Sequence, residues 1–239
     1  MSGSNQLQDV VLIKELELIL DSCTLELTPV DEVWPNLYIG NVAIAQSKKT
    51  LHKLGITHVM NVAHSKQGSI GNQSFYGNTC VYFGIPAEDS DHFDLSQYFR
   101  PAADFIHKAL KSKDGKVLVH CIMGVSRSAT LTLVYLMLRQ HLSLRDALRH
   151  VIQKRAIYPN RHFLSLLLKL DEQLTLKRRV IKGNKLHLLA AASVHREIGV
   201  TAAEEVCTAF SGVSLYDQKQ VSLGSCWSVT SGFTTENNF

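Results

Sequence analysis

The sequence of 239 residues lacks any arrangement of cysteines that would build a disulfide framework or a zinc site. Its five cysteines are an odd number, and neither a CxxC pair nor a Cys/His spacing typical of zinc ligands occurs. A long apolar run is also lacking, because the one candidate, VVLIKELELIL, is interrupted by Lys14, Glu15 and Glu17. These absences argue against a disulfide-stapled domain, a zinc module and a membrane-spanning segment.

The beginning of the chain lacks targeting signals. It has no basic-then-apolar pattern of a signal peptide, and Ser2 stands where N-myristoylation requires glycine. We therefore expect a soluble protein of a reducing compartment, cytoplasmic and also nuclear, that does not bind membranes. The formal net charge is only +4, without the polybasic clusters of nucleic-acid binders, so we expect no nucleic-acid partner.

A pattern of strands alternating with helices begins near residue 33. Four apolar, partly β-branched stretches predict strands, the first of them a strand pair: VWPNLYIG, THVMNVA, VYFGIPA and KVLVHC. The segments between and after them predict helices at 43–55, 96–115, 127–140, 143–155 and 161–176. The pattern is typical of an α/β fold with a central, mostly parallel sheet flanked by helices on both faces.

Two extensions flank this predicted core. At residues 10–21, four apolar side chains share one face of an amphipathic helix, which we expect to dock on the core or, alternatively, to contact a partner or substrate. The C-terminal part has the composition of turns and disorder. The predicted divisions are an N-terminal extension at 1–27, a main domain at 28–178 and a poorly ordered C-terminal extension at 179–239.

The stretch VHCIMGVSRSAT, residues 119–130, carries polar residues between a predicted buried strand and a predicted helix. His120 and Cys121 end the strand at the edge where α/β folds place ligand sites. The next residues lead into a helix N-terminus, whose free amides can surround an anion. Gly124 permits the tight turn this needs. Arg127 lies six residues after the cysteine, so its guanidinium can close over two oxygens of a tetrahedral oxyanion.

These surroundings favour the thiolate form of Cys121, which is the nucleophilic form. A thiolate that faces a bound phosphate can attack it in line and give a cysteinyl phosphate, which water then hydrolyses. Ser128 can hydrogen-bond the sulfur and ease its departure, whereas we expect His120 to hold the loop rather than transfer protons. This chemistry requires neither a metal nor a cofactor.

The stretch resembles the H-C-x5-R-S/T loop of the protein tyrosine phosphatase superfamily. Four further segments are similar to the atypical dual-specificity phosphatases, the small members without a kinase-docking domain: VDEVWPNLYIGN, LGITHVMNVAHS, FDLSQYFRPAADFIHKAL and PNRHFL. The resemblance covers roughly residues 28–178. It implies the fold of those phosphatases and a shallow pocket that accepts phosphotyrosine and phosphoserine or phosphothreonine of proteins.

The resemblance also implies which carboxyl group acts as general acid. The departing phenolate or alkoxide needs a proton, and Asp89 fills the family's position for that acid. Asp91 is the alternative, and a solvated loop or a helix cap is the other interpretation of Asp91 and Asp94.

The predicted substrate-binding residues are those of the loop: Ile122, Met123, Gly124, Val125, Ser126 and Arg127. None of the first five is basic, which favours a singly phosphorylated protein group over the inositol lipids that related enzymes bind with loop lysines. Asn160 matches a family asparagine beside the loop, either as a support or as a simple turn residue. Arg155 falls where relatives carry an arginine outside the pocket, which could meet a second phosphate; a solvated residue at a helix end is the other interpretation.

We expect phosphorylated proteins as partners, phosphorylated kinases among the candidates, and a monomer or weak homodimer. The competing hypothesis is a phosphopeptide-binding or scaffolding module with the phosphatase fold and little turnover. Such a module should have lost the nucleophile, the arginine or the acid, yet Cys121, Arg127 and Asp89 are all present.

Overall fold

A computed structural model of the chain describes residues 2–66, 68–69 and 71–198. Five strands form one sheet: β1 Val30–Trp34, β2 Leu37–Gly40, β3 His58–Asn61, β4 Val81–Gly84 and β5 Val117–His120. Their spatial order is β1-β2-β5-β3-β4. β2, β5, β3 and β4 run parallel to one another, and only β1 is antiparallel, in a hairpin with β2. The prediction of a central, mostly parallel sheet is confirmed.

Helices occupy most of the remaining described residues. They are α1 Ser2–Asp21, α2 Val42–Ala45, α3 Lys48–Leu54, α4 Gln73–Tyr76, α5 Phe99–Lys111, α6 Arg127–Arg139, α7 Leu144–Ile152 and α8 Arg161–Ile198, with a 3₁₀ turn at Leu95–Tyr98. None of these helices is both long enough and apolar enough to cross a membrane.

The chain divides into two compact units, Met1–Arg179 and Val180–Phe239. The sheet and the helices α1 to α7 belong to the first unit. In the second unit, residues 180–198 are helical. Most of the predicted C-terminal extension, residues 199–239, lies outside the described residues.

Both faces of the sheet are covered because successive side chains of the buried strands are apolar and point to opposite faces. On one face, Val117 and Val119 of β5 join Met60 of β3 in the larger core, to which α1 and α5 to α8 contribute. On the other face, Leu118 of β5 and Val59 of β3 join a smaller cluster with residues of α2, α3 and α4.

The predicted helix at 43–55 is two helices in the structure. Ser47 interrupts it, because its hydroxyl accepts the amide of Thr50 at 3.3 Å and caps α3. Gly55 ends α3 in the left-handed conformation at φ 72°, as its position after the helical pattern indicated. A serine within an apolar helical pattern therefore indicates that one helix ends and a second helix begins.

The N-terminal amphipathic helix docks on the core, as the first of the two interpretations predicted. Leu16 and Leu20 are buried in the larger cluster, and Leu12 and Ile19 pack against it. Burial of these side chains supplies the docking energy, since exposed ion pairs such as that of Glu15 with an arginine of α7 contribute little. The helix begins at Ser2, well before the predicted start.

The sheet register aligns the carboxyl ends of its parallel strands. Gly40 of β2 pairs with His120 of β5, His120 with Asn61 of β3, and Asn61 with Gly84 of β4. The segments that follow these strands therefore leave the sheet side by side at one edge, which is where open α/β sheets bind ligands.

Candidate active site

The active-site loop, residues 121–126, leaves this edge of the sheet and leads into α6. Cys121 is only 2% exposed, and its Sγ accepts a hydrogen bond from the backbone N–H of Gly124 at 3.2 Å. The same sulfur lies 3.4 Å from Oγ of Ser128 in the first turn of α6. The amide therefore points at the sulfur, and the hydroxyl lies within reach to donate to it.

Gly124, in the middle of the loop, packs tightly against the end of β2. Its φ is +73°, and a Cβ at this position would lie 2.4 Å from the carbonyl oxygen of Gly40. The carbonyl of Ile122 accepts the amide of Val42 at 3.0 Å, so a second contact joins the loop to the residues after β2. A side chain at position 124 would push the loop away from the sheet.

His120 lies beneath the loop and is 1% exposed. Its Nδ1 is 3.1 Å from the carbonyl oxygen of Cys121. Because a carbonyl only accepts, Nδ1 must carry the proton. Burial lowers the pKa of His120 to about 4, so the ring is neutral at pH 7. A neutral ring that donates to the backbone of the nucleophile is placed to hold the loop.

Asp89, in the segment after β4, meets three polar groups of the site. Ser126 Oγ and Asn160 Nδ2 each donate to its Oδ1 at 2.8 Å. Its Oδ2 is 3.4 Å from Nε of Arg127, and about a third of the side chain (32%) is exposed. The structure thus brings the predicted acid together with the predicted loop and with Asn160.

Asn160 combines the two roles that the sequence left open. Its Oδ1 accepts the amide of Phe163 at 2.8 Å and so caps α8, while its Nδ2 donates to Asp89. Its own backbone N–H also donates to Ser126 Oγ at 3.3 Å. A helix cap therefore fixes the amide group that orients the carboxylate.

The other carboxylates of this segment are engaged elsewhere. Asp94 accepts the amide of Ser96 at 3.0 Å and its hydroxyl at 2.6 Å, and these bonds lower the pKa of Asp94. This agrees with the interpretation of Asp94 as a cap, here of the 3₁₀ turn. Glu88 pairs with Lys66 at 2.7 Å. Asp91 makes no hydrogen bond or ion pair within the described part of the chain.

Arg127, the first residue of α6, has a largely buried side chain, 11% exposed. One Nη donates to the carbonyl of Ala87 at 3.1 Å. Its Nε lies near Asp89 but has no hydrogen-bond partner among the described residues. An oxyanion between Arg127 and the loop amides would satisfy this donor.

The burial of Arg155 differs from both interpretations of this residue that the sequence suggested. It is 1% exposed, and its guanidinium donates to the carbonyls of Gly124 at 2.9 Å and Met123 at 3.4 Å and pairs with Asp31 at 2.6 Å. The interpretation as a solvated helix-end arginine is wrong, because α7 ends at Ile152 and the side chain runs back beneath the loop. The same burial contradicts contact with a second phosphate outside the pocket. Asp31 was missed, since nothing local in the sequence connects it to Arg155.

The remaining loop residues differ in exposure. Met123 is 61% exposed, and Ile122 and Val125 are half-buried. Ser126 is buried with its hydroxyl on Asp89. The carbonyl of Val125 accepts the amide of Tyr158 at 2.9 Å, which joins the loop to the segment before α8.

Comparison with known proteins agrees with this geometry. Residues 37–173 match the family model of the dual specificity phosphatase catalytic domain. This chain belongs to the dual-specificity phosphatase family. Dual specificity protein phosphatase 26 of Homo sapiens is 48% identical over 160 residues, which cover 67% of this phosphatase and 75% of the relative. The protein of the same name from Mus musculus is 47% identical over the same shares.

Solved structures of dual-specificity phosphatases share the fold. Human DUSP28 is 29% identical, with 62% of this chain and 96% of that chain covered and a TM-score of 0.55. A mouse putative dual specificity phosphatase complexed with zinc tungstate is 29% identical, with coverage of 65% and 95% and a TM-score of 0.56. The predicted resemblance is confirmed, and this dual-specificity phosphatase is a protein phosphatase.

Proposed function

We propose that this phosphatase hydrolyses phosphotyrosine and phosphoserine or phosphothreonine in proteins, with Cys121 as the nucleophile. The observation that carries the proposal is the surroundings of the sulfur. The thiol of Cys121 accepts a hydrogen bond from a loop amide and lies beside Ser128. Six residues along the chain, the buried Nε of Arg127 makes no hydrogen bond within the described residues and lies 3.4 Å from Oδ2 of Asp89. A phosphate dianion bound there would satisfy the guanidinium and the inward amides together.

Substrate phosphate must compete with Asp89 for Arg127. In the structure the guanidinium is ion-paired with that carboxylate at 3.4 Å. When the phosphate takes over the guanidinium, Asp89 keeps its hydrogen bonds from Ser126 and Asn160 and stays beside the loop. These two bonds therefore hold the general acid while its charged partner changes.

The first step transfers the phosphoryl group to sulfur. The thiolate of Cys121 attacks phosphorus, the S–P bond forms, and the bond from phosphorus to the tyrosine, serine or threonine oxygen breaks. Asp89 must be in its acid form for this step, with the proton on the oxygen that Arg127 releases, and it gives that proton to the departing oxygen. Arg127 and the loop amides hold the three remaining oxygens throughout.

The second step returns the enzyme to its starting state. Asp89, now a carboxylate, takes a proton from water, and the water oxygen attacks phosphorus while the S–P bond breaks. The hydroxyl of Ser128, 3.4 Å from the sulfur, hydrogen-bonds the departing thiolate. Neutral His120 takes no proton in either step and keeps the backbone of Cys121 in place.

The chemistry of the loop supports a singly phosphorylated protein side chain as substrate. Residues 122–126 contribute no positive charge, and Arg155 is committed to loop carbonyls. A relative of the same fold is a complex with zinc tungstate, and tungstate, like phosphate, is a tetrahedral oxyanion. Phosphoproteins of the cytoplasm and nucleus, kinases among them, are the proposed partners.

The test compares the parent enzyme with Asp89→Asn on a phosphotyrosine peptide and a phosphothreonine peptide, without metal and with a thiol reductant. We expect kcat of Asp89→Asn to fall by about 10²–10⁴-fold, the usual contribution of a general acid. The loss should be smaller for an aryl phosphate whose leaving group needs no proton. Asp91→Asn is the matched control and should keep the parental kcat.

Two outcomes would contradict parts of the proposal. Parental kcat in Asp89→Asn on both peptides would remove Asp89 from the mechanism. Turnover of the phosphotyrosine peptide alone by the parent would withdraw the proposed serine/threonine activity and leave the chemistry at Cys121 intact.

A further inference from the structure

Arg155 is the most deeply buried cation of the first unit, and its contacts converge on the active-site loop. Its Nε donates to the carbonyl of Gly124 at 2.9 Å, and one Nη donates to that of Met123 at 3.4 Å. The other Nη donates to the carbonyl of Thr28 at 2.9 Å and to Oδ2 of Asp31 at 2.6 Å. The guanidinium thus joins the middle of the loop to the segment before β2.

The loop carbonyls need such a donor for a geometric reason. When consecutive amides turn inward towards an anion, the carbonyls of the same peptide planes turn outward, into the protein. The carbonyls of Met123 and Gly124 are paired by Arg155. Gly124 has no Cβ and adopts φ +73°, so the peptide planes on either side of it can rotate unless hydrogen bonds fix them. A rotated plane would remove an amide from the phosphate.

The countercharge of Arg155 comes from the first strand of the sheet, more than a hundred residues away in the sequence. Asp31 lies on β1, and Thr28 precedes that strand. The hydroxyl of Thr28 also donates to Asp31 and so fixes the carboxylate. A guanidinium that is fully buried needs a paired carboxylate, because an unpaired buried charge is strongly unfavourable.

We propose that Arg155 is a positioning residue that orients the peptide planes of the oxyanion-binding loop, with Asp31 as its obligatory counter-ion. It acts through the loop carbonyls and does not touch substrate. This inference rests on the proposed function, since it takes the loop as the phosphate site. It assigns the pair Arg155–Asp31 a role in anion affinity and turnover, in addition to its role in folding.

The experiment measures three quantities for the full-length chain: kcat on a singly phosphorylated tyrosine peptide, the inhibition constant of tungstate, and the melting temperature. The variants are Arg155→Met, Arg155→Lys and the double variant Arg155→Met/Asp31→Leu. Arg149→Met is the matched control, because that arginine lies on α7 with 58% of its side chain exposed. Kinetics are measured well below each melting temperature.

We expect Arg155→Met to lower kcat by about 10²-fold, the effect of misplacing catalytic groups by about 1 Å, and to weaken tungstate inhibition at least about tenfold. Arg155→Lys should be intermediate, because an ammonium lacks the planar fork that serves two carbonyls. The double variant should regain melting temperature, since the buried guanidinium and its partly buried counter-ion are both gone, but it should regain neither kcat nor tungstate affinity. Arg149→Met should match the parent in all three quantities.

The inference is overturned if folded Arg155 variants keep kcat and tungstate inhibition within about twofold of the parent. It is also overturned if the double variant recovers activity together with its melting temperature, which would show a purely structural role. Should Arg155→Met fail to fold, Arg155→Lys and the double variant decide the question. A parent enzyme that neither turns over the peptide nor binds tungstate would instead contradict the proposed function.

Discussion

Two buried cysteines, Cys121 and Cys80, have opposite surroundings. Cys80, directly before β4, is 5% exposed and its Sγ donates to the carbonyl of Ile56 at 3.2 Å, so it carries its proton. Burial raises the pKa of the Cys80 thiol. Cys121 is equally buried, yet its sulfur accepts a hydrogen bond from the amide of Gly124. Burial alone therefore does not describe the two thiols, because the neighbouring backbone group accepts a hydrogen bond from one sulfur and donates one to the other.

The largest expected effect separates the two thiols by activity. Cys121→Ser should lower kcat on a phosphotyrosine peptide by on the order of 10⁵-fold, because removal of a covalent nucleophile disables the whole mechanism. Cys80→Ser should keep the parental kcat, since its hydroxyl can still donate to the carbonyl of Ile56. Comparable losses of kcat in both variants would mean that the two cysteines differ in no way that matters for the reaction and act through stability.

The second expected effect separates the thiols by reactivity. At pH 7, iodoacetamide should modify Cys121 at least about tenfold faster than Cys80, because the thiolate is the reactive form. Residue-resolved mass spectrometry measures both rates in one sample. Tungstate should protect Cys121 and leave the rate at Cys80 unchanged. Equal rates, or protection of both residues, would remove the electrostatic distinction between the two sites.

The third expected effect is on stability and concerns the histidine that holds the carbonyl of Cys121. The folded-state pKa of His120 is about 4, below its ordinary 6.5, so the unfolded chain binds the proton more readily. Stability is therefore fully present above about pH 6.5 and falls as the pH drops towards 4, by about 3 kcal/mol in all. Denaturant titrations of the parent and of His120→Asn between pH 7 and pH 4.5 measure this component.

We expect the variant to lose that part of the pH dependence. Its asparagine amide can still donate to the carbonyl of Cys121 but does not titrate. Carboxylates with a lowered pKa, such as Asp94, lose their contribution in a more acidic range, so the two effects separate. The same slope in parent and variant would assign the acid sensitivity to other groups.

The sequence predicted best those features that depend on neighbouring residues. The path from β5 through the loop to α6 is contiguous, so the strand, the cysteine, the glycine turn and the helix start all appear in one short stretch, 117–130. The class of the sheet was also predicted, because a continuous apolar run is a local feature of each buried strand. Asp89 could be assigned as the general acid only through the resemblance to known proteins, since composition does not distinguish it from three acidic residues near it.

Features that depend on distant pairing were missed. The direction of the Arg155 side chain is set by Asp31 and by two loop carbonyls, and the sequence gives no register between those segments. For the same reason its burial contradicted the expectation for an arginine, a residue type that is rarely buried unless paired. The division of the predicted helix at 43–55 depended instead on one local cap, Ser47.

The hydrogen bonds that fix the active-site loop affect how fast it forms during folding. Its backbone is bonded to Val42 on one side and to Arg155 and Tyr158 on the other, and Arg155 reaches Thr28 in turn. Contacts between segments so far apart in the chain require large loops to close first, which makes them slow to form. Helices need only local contacts, so they can form before the loop has its final shape. Recovery of enzymatic activity after dilution from denaturant should lag behind recovery of circular dichroism.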